Sequence, residues 1–145
     1  MSGLRDIGVK VETADMAADP VIGNALPILN EIATLLERLV DAGESASIDL
    51  RAMPLAPGDY EMIEQVLGRG EIDATLDALG RTSIRETAVR GVWWVRHFNA
   101  HDEIMAEFIE VTRVPELLGS MPEDVADSLT DLRNRLAVHY RREGD

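Results

Sequence analysis

The chain contains no cysteine. That excludes disulfides, thiolate-held zinc, cysteine-bound iron–sulfur clusters and a cysteine nucleophile. It has no apolar run of the roughly 18 residues needed to cross a bilayer. The segment Met1-Ser-Gly-Leu-Arg-Asp-Ile-Gly8 lacks the apolar core of a signal peptide, so the expected compartment is the cytoplasm. Positive charge is scarce: 14 Lys and Arg against 27 Asp and Glu leave a formal net charge of −13. A nucleic-acid backbone and an anionic membrane surface both require a basic footprint, and neither is an expected partner. Two readings of the negative charge stand: solubility by self-repulsion, or steering toward a basic partner.

What is present suits one folded domain. The 145 residues are 46% hydrophobic, enough for a core of their own, and show no internal repeat. Residues 1–22 have no sustained period and are expected to form a flexible arm before a single α+β domain over 23–145. Leu29, Ile32, Ala33, Leu36, Leu39 and Val40 recur at helical spacing and predict a helix over 24–41, with Gly43 as its stop. A short strand over 47–51 follows, and Pro57-Gly-Asp59 opens a second helix that ends at Gly68 or Gly70. Residues 71–78 alternate: Ile72, Ala74, Leu76 and Ala78 face one way, and Glu71, Asp73, Thr75 and Asp77 the other. A turn at Gly80-Arg-Thr82 leads into a strand over 83–90. Ser120-Met-Pro-Glu123 fits a capping box ahead of a last helix whose Val125, Leu129, Leu132, Leu136 and Tyr140 are expected to be buried. The predicted class is α+β: an antiparallel or mixed sheet of about five strands with helices packed on one face, in the order α-β-α-β-β-β-β-α.

The most informative tract is Gly91-Val-Trp-Trp-Val-Arg-His-Phe-Asn99, followed by Glu107-Phe-Ile-Glu-Val-Thr-Arg-Val-Pro-Glu-Leu-Leu118. Both halves are rich in β-branched and aromatic residues and read as a hairpin closed by residues 99–102. That closure pairs Phe98 with Glu103. Successive strand residues point to opposite faces, so Trp93 and Trp94 cannot share one core. The face with Trp93, Val95, His97, Ile104, Ala106 and Phe108 is the more uniformly apolar and is assigned to the core. Trp94 then stands on the open face among Arg96, Phe98, Met105 and Glu107, a composition typical of an interaction hot spot; the alternative is that a helix covers this face within the monomer.

No residues make a convincing catalytic or metal centre. His97, His101, Asp102 and Glu103 diverge in direction, and no serine sits in a nucleophile elbow. Leu67-Gly-Arg-Gly-Glu71 lacks the lysine of a phosphate loop and the dinucleotide spacing, and reads as a helix-to-strand turn. No cofactor, no metal and no catalytic residue is expected. The acidic stripe of Glu71, Asp73 and Asp77 reads either as a solvated face, with Arg85 neutralising part of it, or as a docking surface for basic residues.

The tryptophan hairpin resembles the conserved domain of the HupH/HyaF family of hydrogenase expression proteins. Ala25-Leu-Pro-Ile-Leu-Asn-Glu-Ile32, Ile48-Asp-Leu-Arg51, Pro57-Gly-Asp59, Leu67-Gly-Arg-Gly-Glu71 and Pro122-Glu-Asp124 match in the same order, so the resemblance spans about residues 24–126. Family members usually run to about twice this length, so a short form of the family, by paralogy or gene splitting, is one expectation. The resemblance implies a non-catalytic, chaperone-like accessory in maturation of nickel–iron uptake hydrogenases. The implied partner is the iron–sulfur small-subunit precursor before twin-arginine export, or another hydrogenase accessory protein. Two other readings stay open: a carboxylate-using enzyme in hydrogenase assembly, and a homodimeric interaction module that buries the Trp94 face against a second copy.

Overall fold

The computed structural model describes residues 20–144. The elements are α1 (Ala25–Ala42), β1 (Ala46–Asp49), α2 (Pro57–Leu67), β2 (Asp73–Asp77), β3 (Arg81–Glu86), β4 (Val92–Phe98), β5 (Ile104–Val111) and α3 (Pro122–Gly144). Single 3-10 turns at Leu50–Ala52 and Glu116–Leu118 complete the set. The order is the predicted one. The described residues form two compact units that divide after Arg113.

In the first unit all five strands pair antiparallel in the order β1-β5-β4-β3-β2. The strands joined by short links are neighbours, as antiparallel pairing requires, and β1 returns to the far edge beside β5. Ile28, Ile32 and Leu35 of α1 and Ile63 and Leu67 of α2 pack on the sheet face that carries Ile48, Val92, Trp94, Ile109 and Val111. This reverses the assignment of faces made from the sequence: Trp94 lies in the helix-covered core with 2% of its surface exposed. Trp93, on the opposite face with Val95 and Ile84, is equally buried. Each indole N–H finds an acceptor, Trp93 the Thr112 carbonyl at 3.0 Å and Trp94 the Glu107 carboxylate at 2.7 Å. A satisfied N–H lets an indole go fully inside.

The hairpin register departs from the prediction in an instructive way. Asn99 N–H donates to the Glu103 carbonyl, and the Asn99 side chain accepts from the N–H groups of His101 and Glu103. Phe98 therefore faces Ile104 rather than Glu103. A loop longer by one residue would by itself send every β5 side chain to the wrong face. An irregularity beside His97 and Phe98 leaves Met105 as an extra residue, because His97 faces Ala106. That bulge restores the predicted faces for the rest of the hairpin, with Arg96 beside Glu107 and Trp94 beside Ile109.

The helix-covered face is held from one corner by Asp59. Its Oδ2 accepts from the N–H groups of Ile22 and Ala56 at 2.8 and 3.0 Å, and its Oδ1 from Gly23 N–H at 3.0 Å. The Gly58 N–H adds a bond to the Pro20 carbonyl. One buried carboxylate thus caps the start of α2, where negative charge meets the positive end of the helix dipole, and ties the chain entering α1 to it. Of the expected N-terminal arm, residues 1–19 lie outside the described residues; Pro20 and Ile22 are held by these bonds.

Two amphipathic readings change. In α1 the buried edge is Ala25, Ile28, Ile32 and Leu35, while Ala33 and Val40 face solvent. The stripe is turned by about one residue from the predicted one, and Gly43 ends the helix in the left-handed conformation as expected. The second unit contains α3, and no residue of that helix is buried. Val125, Leu129, Leu132, Leu136 and Tyr140, expected in a core, are exposed. Periodicity identifies an apolar face but not what covers it. The helix also begins at Pro122, so the cap position falls on Met121 and not on Ser120. The Leu67–Glu71 tract is a turn: Gly68 ends α2, and a side chain at Gly70 would meet the Thr87 carbonyl at 2.5 Å.

The Asp59 carboxyl is held below its ordinary value of 3.8, first by the Ala56 N–H and then by Ile22, Gly23 and Ala25, against the opposing effect of burial. Because folding lowers this pKa, its contribution to stability is complete above the unfolded value and is lost as pH falls through the folded one. Urea unfolding followed by tryptophan fluorescence should show the midpoint falling between about pH 5 and pH 3. Asp59→Asn should lower the midpoint at neutral pH and flatten this acid-side slope; an unchanged slope would contradict the role given to Asp59.

Candidate functional site

Cross-strand partners lie on the same side of a sheet, so the register sorts the predicted site residues. Asp73 pairs with Arg85 and Arg85 with Trp94; Asp77 pairs with Arg81; Thr75 pairs with Ser83, Ser83 with Arg96 and Arg96 with Glu107. Trp94, Arg96, Glu107, Asp73 and Asp77 therefore share the face on which α1 and α2 pack. Those helices cover its β1–β5–β4 end, and the acidic residues of β2 stay exposed at the other edge. Glu71 precedes the strand and is exposed.

At the centre sits a buried carboxylate. Glu107, 4% exposed, accepts through a single oxygen from Trp94 Nε1 at 2.7 Å and from Arg96 Nε at 2.6 Å. The Arg96 and Arg85 guanidiniums both approach Glu64 of α2, at 3.7 and 3.4 Å. Each guanidinium also lies over the Trp94 ring, at 5.0 Å for Arg96 and 5.7 Å for Arg85, within cation–π range. Two carboxylates and two guanidiniums thus border the indole on the helix-covered face of the sheet. Among the described residues, no buried side-chain nitrogen or oxygen lacks a hydrogen-bond partner. Such a network is stable only when every member is satisfied.

Beside it opens a cleft of about 420 Å³, lined by Arg51, Tyr60, Glu61, Glu64, Arg96, Ile104 and Glu107. Burial pushes the Tyr60 phenol above its ordinary pKa of 10.0, and the charge of Glu107 adds to this, with Arg51 and Arg96 opposing. The phenol is neutral at physiological pH and can donate a hydrogen bond. Arg51 donates to the Ile104 carbonyl and so closes the hairpin end of the cleft. No residue lining the cleft is a serine, threonine or histidine. Among the described residues no three His, Cys, Asp or Glu are placed to hold a metal ion. The arrangement is suited to charge recognition at its rim.

Trp94 is a structural member of this site rather than an exposed contact, so a homodimer formed through an open Trp94 face is not compatible with this fold. The other hairpin residues are placed apart. Phe98 carries the Arg81 guanidinium at 3.9 Å from its ring centre, and Arg81 also reaches Asp102 at 3.4 Å. Met105, the bulge residue, is exposed. His97 bonds to Thr82 at 2.9 Å and meets Phe108 edge-on. Tyr60, Glu64 and Arg51 were missed in the sequence. The signal for two of them was there: Tyr60, Ile63, Glu64 and Leu67 follow helical spacing on one face of α2.

Replacing Glu107 leaves the buried Trp94 N–H without its acceptor and Arg96 with only the longer contact to Glu64. Glu107→Leu should cost about 2–3 kcal/mol in urea unfolding, the range for losing hydrogen bonds to a charged group. A double-mutant cycle with Arg96→Met should return a coupling of at least about 1 kcal/mol; additive losses would contradict the pairing.

Residues 22–139 match the model of the HupH hydrogenase expression protein, C-terminal conserved region. The hydrogenase expression/formation protein HupH of Rhizobium leguminosarum bv. viciae is 29% identical over 118 residues, covering 81% of this chain and 42% of its own length. HupQ of Azotobacter chroococcum mcd 1, also a hydrogenase expression/formation protein, is 33% identical over 115 residues, covering 76% of this chain and 39% of its own. The hydrogenase-1 operon protein HyaF of Escherichia coli K12 is 29% identical, covering 80% and 41%. The chain thus spans about two fifths of the length of these curated relatives. A solved structure of the hydrogenase expression protein HupH from Thiobacillus denitrificans superposes with a TM-score of 0.78 at 47% identity, covering 81% of this chain and 98% of that one. By sequence and by fold, this chain belongs to the HupH hydrogenase expression protein family and matches its C-terminal conserved region.

Proposed function

We propose that the chain acts as a non-catalytic, chaperone-like accessory in hydrogenase maturation, binding the small-subunit precursor in the cytoplasm before export. The observation that carries this reading is the family match over residues 22–139, with relatives named for hydrogenase expression and formation. The site supports it. Of the three cleft carboxylates, Glu64 and Glu107 are engaged by guanidiniums, which favours recognition over acid–base chemistry at those two. The surface beside them offers exposed Asp73 and Asp77 to a basic ligand. A net charge of −13 attracts such a ligand from a distance. No helix among the described residues is long and apolar enough to cross a membrane.

In this reading Asp73, Asp77 and the exposed part of Arg96 make the contacts, with Glu71, Phe98 and Met105 at the margins. Trp94 and Glu107 act as positioning residues. A pair of client arginines would meet carboxylates on β2 that are only partly offset by Arg81 and Arg85 on β3.

Binding of the purified chain to the hydrogenase small-subunit precursor, with and without its signal peptide, tests this at two salt concentrations. The expected result is binding that needs the peptide and weakens as salt rises, since exposed charges are screened within about 8 Å at physiological ionic strength. Asp73→Asn with Asp77→Asn should weaken it several-fold while leaving the unfolding midpoint nearly unchanged. No binding at either salt would refute the proposal.

A further inference from the structure

We propose that β2 is a strand-addition edge, which takes an extended basic segment of the client as a further antiparallel strand. The inference rests on the reading that this side of the sheet meets the client, and adds the mode of binding and the pattern recognised. β2 is the outermost strand, with β3 as its neighbour. The Glu86 N–H donates to the Ile72 carbonyl, and the Ala78 N–H to the Gly80 carbonyl. Bonded and non-bonded pairs alternate along an antiparallel ladder. In this register Ala74 and Leu76 are therefore the β2 residues that bond to β3. Asp73, Thr75 and Asp77 turn their N–H and C=O groups outward, and all three are exposed. Strand addition uses such a row of main-chain groups.

The side chains select the occupant. Asp73 and Asp77 share one face, opposite Arg85 and Arg81. Both arginines are engaged elsewhere: Arg81 reaches Asp102 and lies over Phe98, and Arg85 reaches Glu64 and lies over Trp94. Among the described residues, no ion pair includes Asp73 or Asp77. A second copy is the wrong occupant. Two β2 strands paired antiparallel about Thr75 would set Asp73 against Asp77 at both ends, acid directly opposite acid. An incoming antiparallel strand puts its residues i, i+2 and i+4 opposite Asp77, Thr75 and Asp73, on the same face. Its residues i+1 and i+3 fall on the other face, beside half-buried Leu76 and Ala74. The segment that fits has cations at i and i+4 and apolar side chains at i+1 and i+3. Adjacent cations fall on opposite faces, so only one of them reaches an aspartate.

The probe is a peptide with the core Arg-Val-Thr-Val-Arg, titrated into the full chain and followed by the amide resonances. The N–H signals of Asp73, Thr75 and Asp77 should move most, and those of Ala74 and Leu76, already bonded to β3, least. A peptide of the same composition with its arginines adjacent should bind about fivefold more weakly, the loss of one opposite-charge pair. N-methylation of the central threonine, whose N–H points at β2, should abolish binding; N-methylation of either valine should not. Thr75→Pro should act like the central methyl group while keeping both aspartates, because an edge strand tolerates proline where the N–H faces outward. No shift, equal binding of the two sequences, or binding indifferent to the central methyl group would overturn strand addition. Slow exchange of the Thr75 amide in the free chain would mean that residues 1–19 or a second copy already occupy the edge, and would overturn it too. The small-subunit precursor separates this proposal from the reading beneath it. If Thr75→Pro binds the precursor as the parent does while Asp73→Asn with Asp77→Asn loses affinity, strand addition fails and the acidic edge stands. If neither variant loses affinity, both fail.

Discussion

The Glu107 carboxylate is the constraint on which the site depends. It lies inside the helix-covered face of the sheet, where an unpaired charge would be costly, and one of its oxygens takes bonds from both Trp94 and Arg96. That arrangement fixes the indole and turns Arg96 toward Glu64 on α2. It also joins the sheet to the helix by charge where the apolar core gives out. Moving β5 by one residue against β4 would carry Glu107 to the opposite face and strand both donors. The bulge at Met105, beside the five-residue loop pinned by Asn99, is what keeps the register.

Asp59 does comparable work at the other end of the same core. A capping carboxylate normally serves its own helix. Here it also takes the N–H groups of Ile22 and Gly23, so the start of α2 and the approach to α1 are one hydrogen-bonded unit. With α2 placed, Tyr60 and Glu64 line the cleft beside Arg96. Two buried carboxylates, one anchoring a helix start and one anchoring a strand pair, set the walls of the candidate site.

Much of this was legible in the sequence because much of it is local. The alternation in residues 71–78, the glycine stops and the dense β-branched tracts around the two tryptophans gave the elements and their order. The choice of which hairpin face meets the helices was not legible. Arg96 and Glu107 looked like a wet surface, yet they neutralise each other across neighbouring strands, and a paired charge carries no mark of burial in its identity. The same limit applies to α3, whose spacing shows an apolar stripe but holds no information on what covers it. Arg51 joins the cleft through a hairpin end far away in sequence, which no periodicity reports. Asp73 and Asp77 were legible as an exposed acidic stripe; their position on the same sheet face as Arg96 and Glu107 came only with the register.

In the proposed function, the acidic edge of the sheet beside the Glu107 network is the surface that meets the client. Hydrogen exchange of the chain, alone and with the small-subunit precursor, tests it most directly. The account predicts added protection in β2, β3 and the Tyr60–Glu64 turn of α2. Protection confined to β1 and α1, or a pattern unchanged by a precursor shown to bind, would contradict it.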